Sequence, residues 1–130
     1  MNLNKVMIIG NLGSDPEMRF TANGTPVTTF RMAVNWRRQG QEGERREETE
    51  WFSVVAWNKL AETCNQYLAK GRRAYVEGRL QTRSWEGQDG QTRYRTEIIA
   101  SNVIFLDRRA EELGPMDEKF EDVEPDDLPF

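Results

Sequence analysis

The chain has no histidine and a single cysteine, Cys64, among its 130 residues. Without histidine it lacks the side chain used most often as a metal ligand and as a general base near neutral pH. One thiol permits no intrachain disulfide and no cysteine-built metal framework. No apolar run approaches the roughly 20 residues needed to cross a bilayer. The N-terminal stretch "MNLNKVMIIGNLG" has only a short apolar run and no cleavage site, so it does not read as a signal peptide. A glycine-rich phosphate loop and a nucleophile elbow are also missing. Paired carboxylates occur in "ERREETE", a polar segment that reads as solvated charge rather than an acid–base pair. These absences predict a soluble protein of a reducing compartment that is not an enzyme, with no catalytic residue, no metal and no cofactor.

The charge is uneven. The net value of −4 combines a body and a tail of opposite sign. Residues 1–110 hold 17 basic and 13 acidic side chains, a net of +4, whereas residues 111–130 hold nine acids and one base, a net of −8. About 100 residues suffice for one core-forming domain. The acidic stretch, interrupted by proline and poor in apolar residues, cannot supply a core of its own. The expected division is a folded domain over residues 1–107 and a disordered acidic tail over residues 108–130.

Strand signals dominate the body. "KVMIIGNL" is a β-branched run containing Gly10, where a bulge or bend is expected. "ANGTP" is a turn, and "VTTFRMAVNW" alternates, with Phe30, Met32, Val34 and Trp36 on one face. Polar residues 37–50 read as a long hairpin loop. "TEWFSVVAWN" then places Trp51, Ser53, Val55 and Trp57 opposite Phe52, Val54 and Ala56. "NKLAETCNQYLAKG" is the one helical stretch, with Tyr67 on its apolar side, Cys64 as a small buried residue and Gly71 as its stop. "AYVEGRLQTRSW", a turn at "EGQDGQ" and "RYRTEIIASNVIFL" complete the body. The order β-β-β-α-β-β predicts an all-β fold with one helix, a five-stranded barrel of the oligonucleotide/oligosaccharide-binding type (OB-fold).

The fourth of these strands carries the clearest chemistry. Ala74, Val76, Gly78, Leu80 and Thr82 share one face and suit a barrel interior. The other face carries Tyr75, Glu77, Arg79, Gln81, Arg83 and Trp85, followed beyond the turn by Arg93, Tyr94 and Arg95. Rings interleaved with arginines suit single-stranded nucleic acid, because bases stack on the rings while cations follow the phosphates. Tryptophans commonly pack in cores and arginines are commonly solvated surface. The charged neighbours of Trp85 weigh against a core role for it. Arg79 and Arg83 gain weight from sharing its face, whereas Arg45 and Arg46 sit among glutamates and gain none. Alternation alone leaves Trp57 undecided, since Val55 shares its side.

The segments "NKVMIIGNLGSDPEMRF", "TEWFSVVAWNKLAE", "YLAKGRRAYVEGRLQTRSW" and the terminal "DDLPF" together resemble the bacterial single-stranded DNA-binding protein (SSB) family. The resemblance spans about residues 2–106 and the last five or six residues. It implies a homotetramer that wraps single-stranded DNA without sequence preference and acts in DNA replication, recombination and repair. It also implies a place in the bacterial cytoplasm, on the nucleoid. In the family, bases stack at the positions matched by Trp36, Trp51, Trp57 and Trp85; the position of Trp57 is often phenylalanine, which keeps the stacking chemistry. Lys59, Lys70, Arg79 and Arg83 fall at or near positions that contact phosphate. The segment between body and tip is shorter than the long linkers common in the family, which bears on contacts between tetramers.

The ending "EPDDLPF" fits an anchor that orders only on a partner. Leu128, Pro129 and Phe130 form its apolar end. Pro129 and Phe130 would fill an apolar pocket, while Asp126, Asp127 and the terminal carboxylate would meet basic residues around it. The expected partners of this tip are replication, repair and recombination proteins. The alternative to a DNA-coating protein is an OB-fold interaction module of primosomal or RNA-binding type. It explains the fold but neither the four tryptophans nor the tail. An OB-fold nuclease would need clustered carboxylates on the binding face, and Glu77 is the one acid on the Arg79/Arg83 face of its strand.

Overall fold

Sustained alternation produces strands, and the computed structural model, which describes residues 1–39 and 45–106, has them where the pattern requires. In order they are β1 (Val6–Leu12), β2 (Glu17–Phe20), β3 (Pro26–Gln39), β4 (Arg45–Trp57), the helix α1 (Asn58–Tyr67), β5 (Arg73–Glu86) and β6 (Thr92–Phe105). The sheet order is β1-β5-β6-β4-β3-β2, and β1 also pairs with β3. That extra pairing closes β1, β5, β6, β4 and β3 into a five-stranded barrel. The all-β, one-helix OB-type architecture expected from the sequence is therefore the one present. The acidic tail and its tip (Asp126, Asp127, Leu128, Pro129 and Phe130) lie outside the described residues.

Two short contacts make the closure. Asn11 and Leu12 of β1 pair with Ala33 and Met32 of β3. Val54 and Val55 of β4 run parallel to Ile98 and Ile99 of β6, while the other pairings are antiparallel. Gly10 belongs to the first contact. A Cβ at this position would stand 2.3 Å from the Ala33 carbonyl oxygen, so only glycine lets the two backbones approach. The β1–β5 register runs unbroken through Gly10, and the irregularity expected there lies instead in β5–β6, between Glu77 and Gly78.

Inward faces supply the core: Leu12, Phe30, Met32, Val54, Ala56, Ala74, Val76 and Ile98. The helix seals it with Ala61 and Cys64, and Leu68 follows just past its end. A buried bond ties helix to barrel, the Thr28 hydroxyl donating to the Ala61 carbonyl at 2.7 Å. Tyr67 is not part of this core. It is 52% exposed and meets Phe105 at a ring separation of 5.8 Å, because the buried stripe runs through Ala61, Cys64 and Leu68 and passes beside it. The helix stops at Tyr67. Gly71, at φ 88°, serves the following turn, in which the Arg72 N–H donates to the Ala69 carbonyl.

Three other local expectations change. A short strand, β2, adds to the outer edge of β3, with Glu17 opposite Thr29 and Phe20 opposite Pro26. Residues 37–50 are not a loop. β3 and β4 stay paired from Val27–Trp57 out to Gln39–Arg45, and only residues 40–44 separate them, outside the described residues. Backbone pairing sustains this ribbon without an apolar face, which is why its polar sequence looked like a loop. Likewise β5 and β6 remain paired to Glu86–Thr92. The barrel interior ends near Gly78, so Leu80 (43% exposed) and Thr82 lie in the second ribbon rather than in the core.

Candidate nucleic-acid interface

The two ribbons leave the barrel on either side of a groove of about 510 Å³. Its floor and walls come from alternation. In β4, burying Phe52, Val54 and Ala56 obliges Trp51, Ser53, Val55 and Trp57 to face outward. Across the β3–β4 pair their partners are Ala33, Arg31, Thr29 and Val27. In β5 and β6 the same rule sets Gln81 opposite Glu97, Arg83 opposite Arg95, and Trp85 opposite Arg93. The groove is lined by Trp57, Arg31, Arg83, Arg95 and Glu97, with Asp15, Glu17 and Arg19 at the β2 end. Val55, although on the outward side of β4, is buried and helps form its floor.

Trp57 is held at a corner. Its backbone caps the start of α1, and the next residue, Asn58, takes φ 60°, a left-handed turn that asparagine tolerates better than most residues. The indole stays 41% exposed. Trp51 is also seated by its surroundings. A Cβ on Gly13 would stand 2.3 Å from its Cζ3 atom, and the Gly13 N–H donates to the Arg31 carbonyl at 2.8 Å. The Arg31 guanidinium lies over the Trp51 ring, 4.7 Å from its centroid. Arg83 makes a looser version of the same contact with Trp85, at 5.6 Å.

Arg83 and Arg95 face each other directly across the ribbon, an arrangement of like charges that ordinarily costs stability. Glu97 offsets it. Its carboxylate is nearly buried and lies 3.5 Å from the Arg83 Nε. The acids of this face are thus not limited to Glu77, because β6 brings Glu97 beside Arg83 and the β2 end brings Asp15 and Glu17. Among the described residues no three such groups converge on a possible metal position.

The sequence-predicted residues separate into groups. Trp57 and Arg83 line the groove; Trp51 and Trp85 flank it, each beside a groove arginine. Trp36 pairs with Glu48 and so falls on the face of the β3–β4 ribbon opposite Trp51, beyond the barrel and 41% exposed. Arg79 lines a separate hollow of about 380 Å³ with Lys5 and Glu77, and donates to Gln81 Oε1 at 2.9 Å. There Lys5 and Glu77 form an ion pair at 2.6 Å. The hydrogen bond from Lys5 holds the Glu77 carboxyl below its ordinary range, and the same bond raises the Lys5 ammonium. Lys59, in the first turn of α1, and Lys70, in the α1–β5 loop, are exposed and line neither hollow. The Lys70 backbone N–H donates to Asp15 Oδ1 at 2.8 Å, which holds that loop near the β2 end of the groove.

Sequence reasoning missed Arg19, Arg31 and Glu97. A signal existed for Arg31, which sits between the inward residues Phe30 and Met32 and must therefore point outward, opposite Ser53. Exposed flat rings, planar guanidiniums and a continuous groove fit an extended ligand with stackable faces and a charged backbone.

A model of the single-strand binding protein family matches residues 3–106. Single-stranded DNA-binding protein 1 of Chlorobaculum tepidum is 45% identical over 124 residues, covering 95% of this chain and 76% of its own length. A single-stranded DNA-binding protein of Rhizobium meliloti is 45% identical over 120 residues, covering 87% of this chain and 68% of its own. A solved structure described as Plasmodium falciparum SSB complex with ssDNA superposes with a TM-score of 0.77 at 36% identity, covering 82% of this chain and 97% of that one.

Proposed function

The chain belongs to the single-strand binding protein family, and from that premise we propose that it coats single-stranded DNA without regard to sequence. The observation that carries this reading is the groove that holds Trp57 among Arg31, Arg83 and Arg95, flanked by Trp51 and Trp85. Every base has a flat face, so stacking on these rings, worth roughly 1–3 kcal/mol per base, selects for unpaired strands and not for sequence. Trp36 would receive bases on the other side of the β3–β4 ribbon, so a bound strand would pass around that ribbon. Arg83 would contact phosphate within the groove, and Lys59, Lys70 and Arg79 would do so along the path outside it. The role is binding, not catalysis.

The remaining roles follow from the domain division. Residues 1–107 would hold the DNA. Residues 108–130 would recruit replication, recombination and repair proteins through Asp126, Asp127, Leu128, Pro129 and Phe130, in the bacterial cytoplasm on the nucleoid. Assembly into a homotetramer would cover Met7 (62% exposed) and Ile104 (47% exposed) on the outer face of β1, β5 and β6. It would also cover the far edge of residues 6–10 in β1, which has no strand partner among the described residues.

The deciding experiment is a titration with oligo-dT, followed by tryptophan fluorescence and run at several salt concentrations. Strong quenching, with the logarithm of affinity falling linearly in the logarithm of salt concentration, is expected. No quenching together with no shift on a gel would sink the reading. Equal affinity for structured RNA would favour an OB-fold interaction module instead.

A further inference from the structure

Arg31 has no role in the reading above beyond lining the groove, yet its position is specific. It stands across from Ser53, which lies between the outward tryptophans of β4, two residues from Trp51 and four from Trp57. Trp51 and Trp57 are six residues apart, roughly 20 Å along an extended strand. Its guanidinium rests on the Trp51 ring, and its own backbone carbonyl accepts from Gly13, the residue that seats that ring. Resting there, it lies over part of a ring that stays 49% exposed, on surface that an incoming base would use. The same geometry recurs at the other end of the groove, where Arg83 lies beside Trp85.

We propose that Arg31 is an exchange residue, which covers Trp51 while the groove is empty and passes to the DNA backbone when a base takes its place on the ring. The proposal rests on the single-strand reading above. Its physical basis is that consecutive bases are joined through phosphate, so a strand stacked on Trp51 and Trp57 must carry phosphates across the interval that Arg31 occupies. Arginine suits both states. Its planar cation stacks on an aromatic face, and its fork of N–H donors matches phosphate oxygens. The exchange keeps the guanidinium partnered throughout, and it keeps Trp51 in the orientation a base requires.

The test uses the full chain and oligo-dT, comparing wild type with Arg31→Ala, Arg31→Lys, Trp51→Phe and the Arg31→Ala/Trp51→Phe double variant. Arg31→Ala should bind roughly two- to five-fold more weakly at low salt. The slope of log affinity against log salt should become shallower by about 0.7, the value for one phosphate contact on a single strand. Arg31→Lys should retain the slope. In the absence of DNA, Arg31→Ala should shift the tryptophan emission, and no such shift should accompany it in the Trp51→Phe background. An altered emission with an unchanged salt slope would reduce Arg31 to a packing residue and overturn the exchange. An unchanged emission would overturn the resting contact. If wild type itself ignores oligo-dT, the single-strand reading falls, while the emission arm still decides whether Arg31 covers Trp51. Arg31→Gln, closer in shape, takes the place of Arg31→Ala if the alanine variant melts early.

Discussion

The contact between Gly13 and Trp51 shows how one missing side chain controls a binding surface. Gly13 has no positive φ to protect, so alanine is acceptable to the backbone there. The added Cβ would collide with the indole edge, and the indole would have to move. Gly13→Ala should therefore leave the melting temperature nearly unchanged, within about 0.5 kcal/mol of stability, yet weaken oligo-dT binding by up to roughly 1–3 kcal/mol, the worth of one stacked base. A titration alongside a thermal melt separates the two effects. Cys64 shows the opposite case, a residue wholly inside. Burial pushes its thiol from 9.0 to about 11. A raised value means that the folded state favours the neutral thiol. Its contribution is therefore intact below pH 9 and lost as pH climbs toward 11. Melting curves should fall across that window more steeply for wild type than for Cys64→Ala. Single residues were legible wherever alternation decided their side, as for the inward Ala74 and Val76 and the outward Trp85, whereas Trp57 was left open by its neighbour Val55. Tyr67 was misjudged because helical spacing admits two adjacent stripes, and only the barrel decides which one is covered.

At the level of elements, the junction between β4 and α1 does the most with the fewest residues. Trp57 ends the strand, Asn58 reverses the chain at φ 60°, and the helix begins with no side-chain cap. The left-handed turn costs an ordinary residue roughly 1–2 kcal/mol. Asn58→Val should lower stability by about that much, whereas Asn58→Gly should match or exceed wild type. Chemical denaturation of the two variants checks the order, and a reversed order would place the strain elsewhere. Elements with apolar periodicity, β1 and α1 and the barrel halves of β3, β4 and β5, could be read from the sequence. β2 could not, since Glu17–Phe20 is too short for its alternation to establish a period, and it becomes a strand only because β3 offers an edge. The outer ribbon of β3 and β4 was hidden for a related reason. Its sequence beyond Trp36 and before Trp51 is polar, and so leaves no hydrophobic trace.

For the whole molecule, charge is the first lever. Cutting the chain after Ala110 removes a net of −8 and takes the total from −4 to +4. The shortened chain should bind oligo-dT more tightly at low salt. The gain should shrink as the screening length falls from about 10 Å at 0.1 M to about 3 Å at 1 M. Titrations of both forms across that range test it, and identical affinities at low salt would show that the acidic segment does not act on the groove. The fold class was legible from the order of elements alone. The two contacts that close the barrel were not, because β1–β3 and the parallel β4–β6 pairing join residues far apart in sequence and leave no local mark. The second of these contacts also governs biosynthesis. β6 is the partner of both β5 and β4, and among the described residues it is the last strand made. While the ribosome is still reading toward residue 98, Val54 has no partner on one side and β5 has an open edge. The body must then be finished by a search among distant segments, which for such topologies takes on the order of milliseconds to seconds. A chain stalled before β6 would carry the binding groove's tryptophans on an unfinished sheet, exposed to aggregation and to the proteases that clear incomplete proteins.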